Sequence, residues 1–286
     1  MTVRSLREGP GGLRCAKEGQ PIHYRPLPGR PRPMPARYRV LSLDLHDTVV
    51  WDTPAIVEAQ YEVRLNLLAQ GLRGSNGSRV PLEDLRTARE ALHSKWQSEG
   101  RYVESVPVAT QVELLRQRLS AEYAGPVEQV IRDYAEGGLR EHPPVINPEA
   151  WELVHALNQG GFPVIVITDT SRSGSVWKSF LEEAGGIRLS DVIASTDVGA
   201  CKPDNRIFFE AVSRTGVPVS NILHVGDNWW WDVEGARGCG MGAALYRGLG
   251  PHYWDPGNPR EPPRGKDPSI PRLDHLSEVR GLLGLV

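Results

Sequence analysis

The chain has 286 residues, 24% of them charged and 40% hydrophobic, with a formal net charge of −2. That length suits one large domain or a core with a smaller module, and the near-neutral charge excludes an obligate polyanion partner. No apolar run is long enough to span a membrane and no apolar centre near the N-terminus marks a signal peptide, so a cytoplasmic protein without a membrane partner is expected.

Residues 1–37 carry eight basic residues against Glu8 and Glu18, a net +6, which leaves −8 on the remainder. The segment is rich in Gly, Pro and Arg and has no period, so a disordered tail is expected. It lacks the interleaved aromatics of a nucleic-acid-binding arm, and no nucleic-acid partner is expected. Met34 stands just before the first strand and offers an alternative start. Cys15, Cys201 and Cys239 are odd in number and form no CxxC pair, so they read as reduced thiols rather than a disulfide frame or zinc site.

The first strand lies in VLSLDLHDT, residues 40–48. A short apolar run ending abruptly in carboxylates reads as a strand buried on both faces of a parallel sheet. Ligands bind beyond the carboxyl ends of such strands, which places Asp44 at a ligand. A carboxylate buried there needs a partner, a metal ion or a lysine. Residues 53–145 then show helical patterning. Thr53 and Pro54 start a helix with a stripe of Ile56, Ala59, Val63 and Leu67. Three more follow, from Pro81 to a stop at Gly100, over 107–122 and over 126–136. The expectation is an all-helical insert.

Asn147 caps a further helix that Gly160 and Gly161 end. Residues 162–167 form a second buried strand ending at Thr168 and Asp169. Beyond it come a helix over 173–184, a strand over 192–194, a helix over 205–214 and a strand over 222–225 ending at Asp227. A helix to residue 237, a strand over 243–246, a Pro/Gly-rich loop over 248–268 and a closing helix over 276–283 complete the chain. This alternation predicts an α/β fold, a Rossmann-like parallel sheet core over 38–52 and 146–286, with helices on both faces.

Asp44, Thr168, Lys202 and Asp227 thus fall at strand ends or in adjoining loops. Phosphoryl transfer through a carboxylate nucleophile needs this set: a divalent cation screens two anions, while a lysine and a hydroxyl hold phosphoryl oxygens. Four stretches in this order, DLHDT at 44–48, VIVIT at 164–168, VGACKPDNRIF at 198–208 and LHVGDNWWWDVEGA at 223–236, resemble the four motifs of the haloacid dehalogenase (HAD) superfamily of hydrolases. The insert sits where that family places an α-helical cap.

The resemblance implies a Mg²⁺-dependent hydrolase, in first place a phosphatase acting on a small phosphorylated molecule. Asp44 would be the nucleophile and would become an aspartyl-phosphate. Thr168 and Lys202, with Asp169 beside them, would bind the phosphoryl group, unless Asp169 only shapes its turn. Asp44 and Asp227 would hold Mg²⁺, joined by the backbone carbonyl of His46 and supported by Asp232 directly or through water, unless Asp232 only caps the helix after the loop. The family's phosphatases usually carry a second Asp two residues after the nucleophile as acid and base; here that place holds His46, and the Asp stands one further on, at Asp47. Either could serve, because an imidazole with an ordinary pKa of ~6.5 takes both roles near neutrality. Failing that, the chain would be an impaired or non-catalytic relative that binds a phosphorylated ligand or a protein partner. Relatives lacking that Asp include dehalogenases, which need no metal, and phosphonate hydrolases, for which Lys95 would be the Schiff-base lysine of the insert. The run of Trp229, Trp230 and Trp231 faces either the core or a substrate pocket. The oligomeric state is not legible.

Overall fold

The computed structural model describes residues 38–99, 106–248 and 267–285. The strands in chain order are β1 (Val40–Leu43), β2 (Val50–Trp51), β3 (Leu72–Arg73), β4 (Glu122–Tyr123), β5 (Val145–Ile146), β6 (Val164–Thr168), β7 (Asp191–Ala194), β8 (Ile222–Gly226), β9 (Gly242–Tyr246) and β10 (Arg272–Leu273). The helices are α1 (Pro54–Gly71), α2 (Leu82–Ser98), α3 (Val108–Arg118), α4 (Val127–Glu136), α5 (Pro148–Gln159), α6 (Gly174–Gly185), α7 (Ser195–Val198), α8 (Asn205–Thr215), α9 (Gly235–Cys239) and α10 (Val279–Leu282).

Six strands form one sheet in the order β10-β9-β8-β1-β6-β7, all parallel. Alternate residues of each strand feed two apolar layers. Leu41, Leu43, Val164 and Val166 pack with α5, α6 and α10; Val40, Ile165, Ile167 and Ile222 pack with α8 and α9. The Rossmann-like α/β reading therefore holds. The sheet gains β10, whose two residues carry too little pattern to be read as a strand.

Residues 54–136 build a separate apolar cluster from α1, α2, α3 and α4. On α2, Leu85, Ala88, Leu92 and Trp96 are buried at helical spacing, each large one contributing about 2 kcal/mol. The insert is not entirely helical, because β3 and β4 pair antiparallel, Leu72 with Tyr123 and Arg73 with Glu122. This ladder needs α3 to end early, which it does at Arg118, with Ser120 in the left-handed region at φ 48°. On α1 the buried face is Gln60, Arg64, Leu65, Leu68 and Ala69, not the expected stripe. Two polar residues turn inward there to meet backbone carbonyls, Arg64 Nε that of Tyr134 at 2.9 Å and Gln60 Nε2 that of His142 at 2.8 Å. The chain enters and leaves the insert through one antiparallel ribbon, β2 with β5.

The expected caps form: Thr53 Oγ1 accepts from the Ile56 amide at 3.2 Å and Asn147 Oδ1 from the Glu149 amide at 3.0 Å. The helix expected after Asp227 is instead a π-helical turn over Trp229–Glu234 leading into α9. The closing helix divides into a 3-10 turn over Leu276–Glu278 and α10. Cys239 is a free thiol; Cys15 lies outside the described residues. No helix among the described residues is long and apolar enough to cross a membrane. The tail, the stop at Gly100 and most of the 248–268 loop lie outside the described residues.

Candidate active site

β1 lies between β8 and β6, where the strand order reverses, and a crevice opens at the carboxyl ends of such strands. Asp44 follows β1, with its amide on Val225 O at 2.9 Å. Thr168 ends β6, and Asp227 follows β8. The residues read from separate motifs thus converge.

Lys202 sits among them, 3% exposed. The Asp169 carboxylate receives its backbone amide at 2.9 Å. Its ammonium donates to Asp44 Oδ1 at 2.5 Å and to Asp232 Oδ1 at 2.6 Å. Burial alone would discharge this lysine, but Asp232, Asp44 and Asp169 outweigh it and hold it charged well above its ordinary range.

The carboxylates differ. Burial raises Asp44 above the usual carboxylate range, against the pull of Lys202. Burial also pushes Asp169 up to about 7. Asp232 is held below the usual range despite its burial, by Lys202 and by the hydrogen bond from His224. The number of donors explains the contrast. Asp232 accepts from Lys202, from His224 Nε2 at 3.2 Å and from the Asn228 amide at 2.9 Å. Gly226 is required beside it, since a Cβ there would stand 2.3 Å from the Asp232 carboxyl carbon.

Oxygens of Asp44, Asp227 and Asp232 lie within 4.8 Å of one another. Three carboxylates, Asp44, Asp169 and Asp232, act on the Lys202 ammonium, and Asp227 joins Asp44 and Asp232 in a cluster of hard oxygens. The donor type fits a hard divalent cation. The Thr168 hydroxyl, wholly buried, has no hydrogen-bond partner among the described residues. Such a group costs stability unless a ligand completes it.

Beyond Asp44 the chain folds back on itself. Val49 and Val50 both donate to Leu45 O at 2.8 Å, and the Asp47 amide donates to Val50 O at 2.8 Å. Asp47 is buried in the left-handed region, at φ 58°. This turn carries Asp52 back to His46, Nδ1 to Oδ2 at 3.1 Å. Burial opposes a charge on His46, but Asp52 outweighs it and raises its proton affinity. Trp177 of α6 meets the His46 ring edge-on, 5.4 Å between centroids.

Sequence reasoning missed Asp52, Ser42, His224 and Arg172. Ser42 and His224 left a signal, as polar residues inside apolar strands. Arg172, after β6, donates to Ala135 O at 2.8 Å and Gln60 Oε1 at 3.1 Å, tying the insert to the core. Trp229 is wholly buried in the core, its Nε1 on Glu234 at 3.0 Å, while Trp230 and Trp231 are half-buried. Lys95 is 66% exposed on α2, 4.0 Å from Glu99, as a solvated helix face would place it.

A family model described as haloacid dehalogenase-like hydrolase matches residues 38–240. The chain is 29% identical over 236 residues to a phosphoserine phosphatase of Thermus thermophilus, covering 74% of this chain and 90% of that protein. It is 37% identical over 92 residues to haloacid dehalogenase-like hydrolase domain-containing protein 3 of Mus musculus, covering 32% of this chain and 35% of that one. Matches to that protein's counterparts in Danio rerio and Bos taurus span 22% and 59% of their lengths. A 2-haloacid dehalogenase from Pseudomonas syringae has a similar fold, at 22% identity over 86% of this chain and 98% of that one, with a TM-score of 0.54.

Proposed function

The chain belongs to the haloacid dehalogenase-like hydrolases, and from that we propose a Mg²⁺-dependent phosphatase that acts on a small phosphorylated molecule by way of a phosphoryl group on Asp44. The observation that carries the proposal is a wholly buried, unpartnered Thr168 hydroxyl on the strand beside Asp44, whose carboxylate Lys202 holds at 2.5 Å. An acceptor-rich dianion would complete that hydroxyl.

In this reading an Asp44 oxygen attacks phosphorus as the bond to the ester oxygen breaks. His46 protonates that leaving oxygen. It then takes a proton from the water that attacks the aspartyl-phosphate, and inorganic phosphate and Asp44 are released. Asp52 supports this assignment, since it orients the imidazole and stabilises its charged form. Lys202 and Thr168 hold phosphoryl oxygens, with Asp169 fixing the lysine backbone. When bound by Asp44, Asp227, Asp232 and the His46 carbonyl, Mg²⁺ supplies charge screening between carboxylate and phosphate. The insert acts as a cap that excludes water and selects the substrate.

One observation favours a second reading, a relative that binds a phosphorylated ligand without turning it over: the His46 imidazole is tied to Asp52 and packed on Trp177. Initial rates on an aryl phosphate and a panel of phosphate monoesters decide. The expected result is turnover that needs Mg²⁺, stops in EDTA and disappears in Asp44→Asn. A silent wild type that gains activity as His46→Asp would replace the phosphatase with the second reading. Turnover undiminished in EDTA would remove both.

A further inference from the structure

The sheet face that carries Asp44 is apolar beneath the site, lined by Val40, Ile165, Ile167, Ile222, Ala243 and Leu245. Two positions break it. Ser42 and His224 stand opposite each other in register on β1 and β8, both without exposed surface. The fold gains little from a polar pair there, since two apolar residues of similar shape would be nearly neutral or stabilising. The hydrogen bonds of the pair run toward the site. His224 Nδ1 lies 2.8 Å from Ser42 Oγ, and Nε2 lies 3.2 Å from Asp232 Oδ1. Phe208 meets the imidazole edge-on, 5.4 Å between centroids, and fixes the ring plane.

The direction of these bonds follows from the acceptor. Asp232 Oδ1 is a carboxylate oxygen that already accepts a hydrogen bond from Lys202 at 2.6 Å. Nε2 must therefore carry a hydrogen, and in a neutral imidazole Nδ1 then accepts from the Ser42 hydroxyl. Asp232 Oδ2 is occupied by the Asn228 amide at 2.9 Å.

We propose that Ser42 and His224 are positioning residues: Ser42 sets the imidazole tautomer, His224 donates to Asp232, and Asp232 so held anchors the Lys202 ammonium against Asp44. Asp232 then stands as a fixed anion against the lysine. Without the His224 hydrogen bond, Asp232 draws harder on Lys202, and the lysine is shared less with Asp44 and a phosphoryl oxygen. The kinetic consequence rests on the phosphatase reading; the tautomer does not.

The test joins the two. Long-range proton–nitrogen correlation spectra of the intact protein with ¹⁵N-labelled histidine report which nitrogen of His224 carries the hydrogen. The expected wild-type signature is Nε2–H with an accepting Nδ1, giving way to a mixture in Ser42→Ala. On an aryl phosphate, Ser42→Ala should lower kcat about tenfold with little change in KM. His224→Gln retains an amide donor for Asp232 that needs no tautomer. It should keep kcat within about threefold, and adding Ser42→Ala to it should cost nothing more. An Nδ1–H imidazole in the wild type would overturn the proposal. So would a Ser42→Ala loss that is equal in both backgrounds. If the wild type hydrolyses no phosphate ester, the phosphatase reading fails and the spectra alone decide this one.

Discussion

At the carboxyl ends of β1, β6 and β8, one buried ammonium stands among three carboxylates, with Asp227 beside two of them. Where the insert meets the core, two buried guanidinium groups, Arg64 and Arg172, stand near each other, with Asp52 as a carboxylate acting on Arg172. The second group bonds mainly within the chain, although Arg64 Nη2 is buried with no partner among the described residues. Arg64 Nε donates to Tyr134 O at 2.9 Å and lies 4.2 Å from the Tyr134 ring centroid. Arg172 donates to Ala135 O, Gln60 and Gly137 O. These carbonyls lie at the carboxyl end of α4, the negative pole of the helix. Even so, burial and then Arg64 press the Arg172 pKa down to about 9. Neutral dipoles thus hold the seam, while the site gathers carboxylates and a Thr168 hydroxyl that has no partner among the described residues. The seam is built on the chain's own carbonyls, whereas the site collects acids suited to a bound cation.

The sharpest test of this contrast is at Asp44. Asp44→Asn should lower turnover by about 10⁴-fold or more while the circular dichroism spectrum stays unchanged; parallel loss of fold would place Asp44 with the architectural group. Arg172→Ala should do the reverse. It strips donors from buried carbonyls and should cost about 2–4 kcal/mol in urea unfolding. Arg172→Lys should not restore the loss, because an ammonium cannot reproduce the guanidinium fork. His46→Asn should reduce turnover about 10²-fold, and Asp52→Asn about tenfold, with melting temperatures close to wild type. A larger fall in stability than in rate would return that pair to packing.

The smallest effect lies far from both regions. Glu149 accepts from His275 Nδ1 at 2.8 Å and from the Leu276 amide at 2.8 Å, fastening the last described segment to α5. The hydrogen bond to Glu149 raises the pKa of His275. Burial opposes the charge on Glu149, but His275 outweighs it and lowers the carboxyl. Stability from His275 is therefore full below its unfolded pKa of ~6.5 and fades as pH rises through the folded value; that from Glu149 is full above ~4.5 and fades in acid. The melting temperature of wild type minus that of His275→Gln should peak between about pH 4.5 and 6.5, at about a degree or two, because the pair is exposed.

The legibility of the two regions follows the same division. Asp44, Thr168, Lys202, Asp227 and Asp232 could be found because polar residues end apolar strands or sit in fixed motifs beside them. The sheet was legible for the same reason. Arg64 and Gln60 were not, because a polar residue turned inward looks like a polar residue turned to water. The stripe assigned to α1 was therefore rotated away from its true buried face. The departure at His46 is visible in the sequence, but its partner is not. Asp52 reaches it only through the left-handed turn at Asp47, and no spacing rule encodes that turn.

The ribbon of β2 and β5 carries both crossings between core and insert. The strap is rooted at Asn147, whose amide donates to Val49 O at 2.9 Å and whose side chain donates to Thr48 O at 2.8 Å. Asn147 also donates to the Tyr246 hydroxyl at 3.2 Å, and so to the far side of the sheet. The ribbon's bonds to the core therefore end on Thr48 and Val49, within the same short turn that carries His46, so the root of the insert and the turn of the site are one piece of backbone.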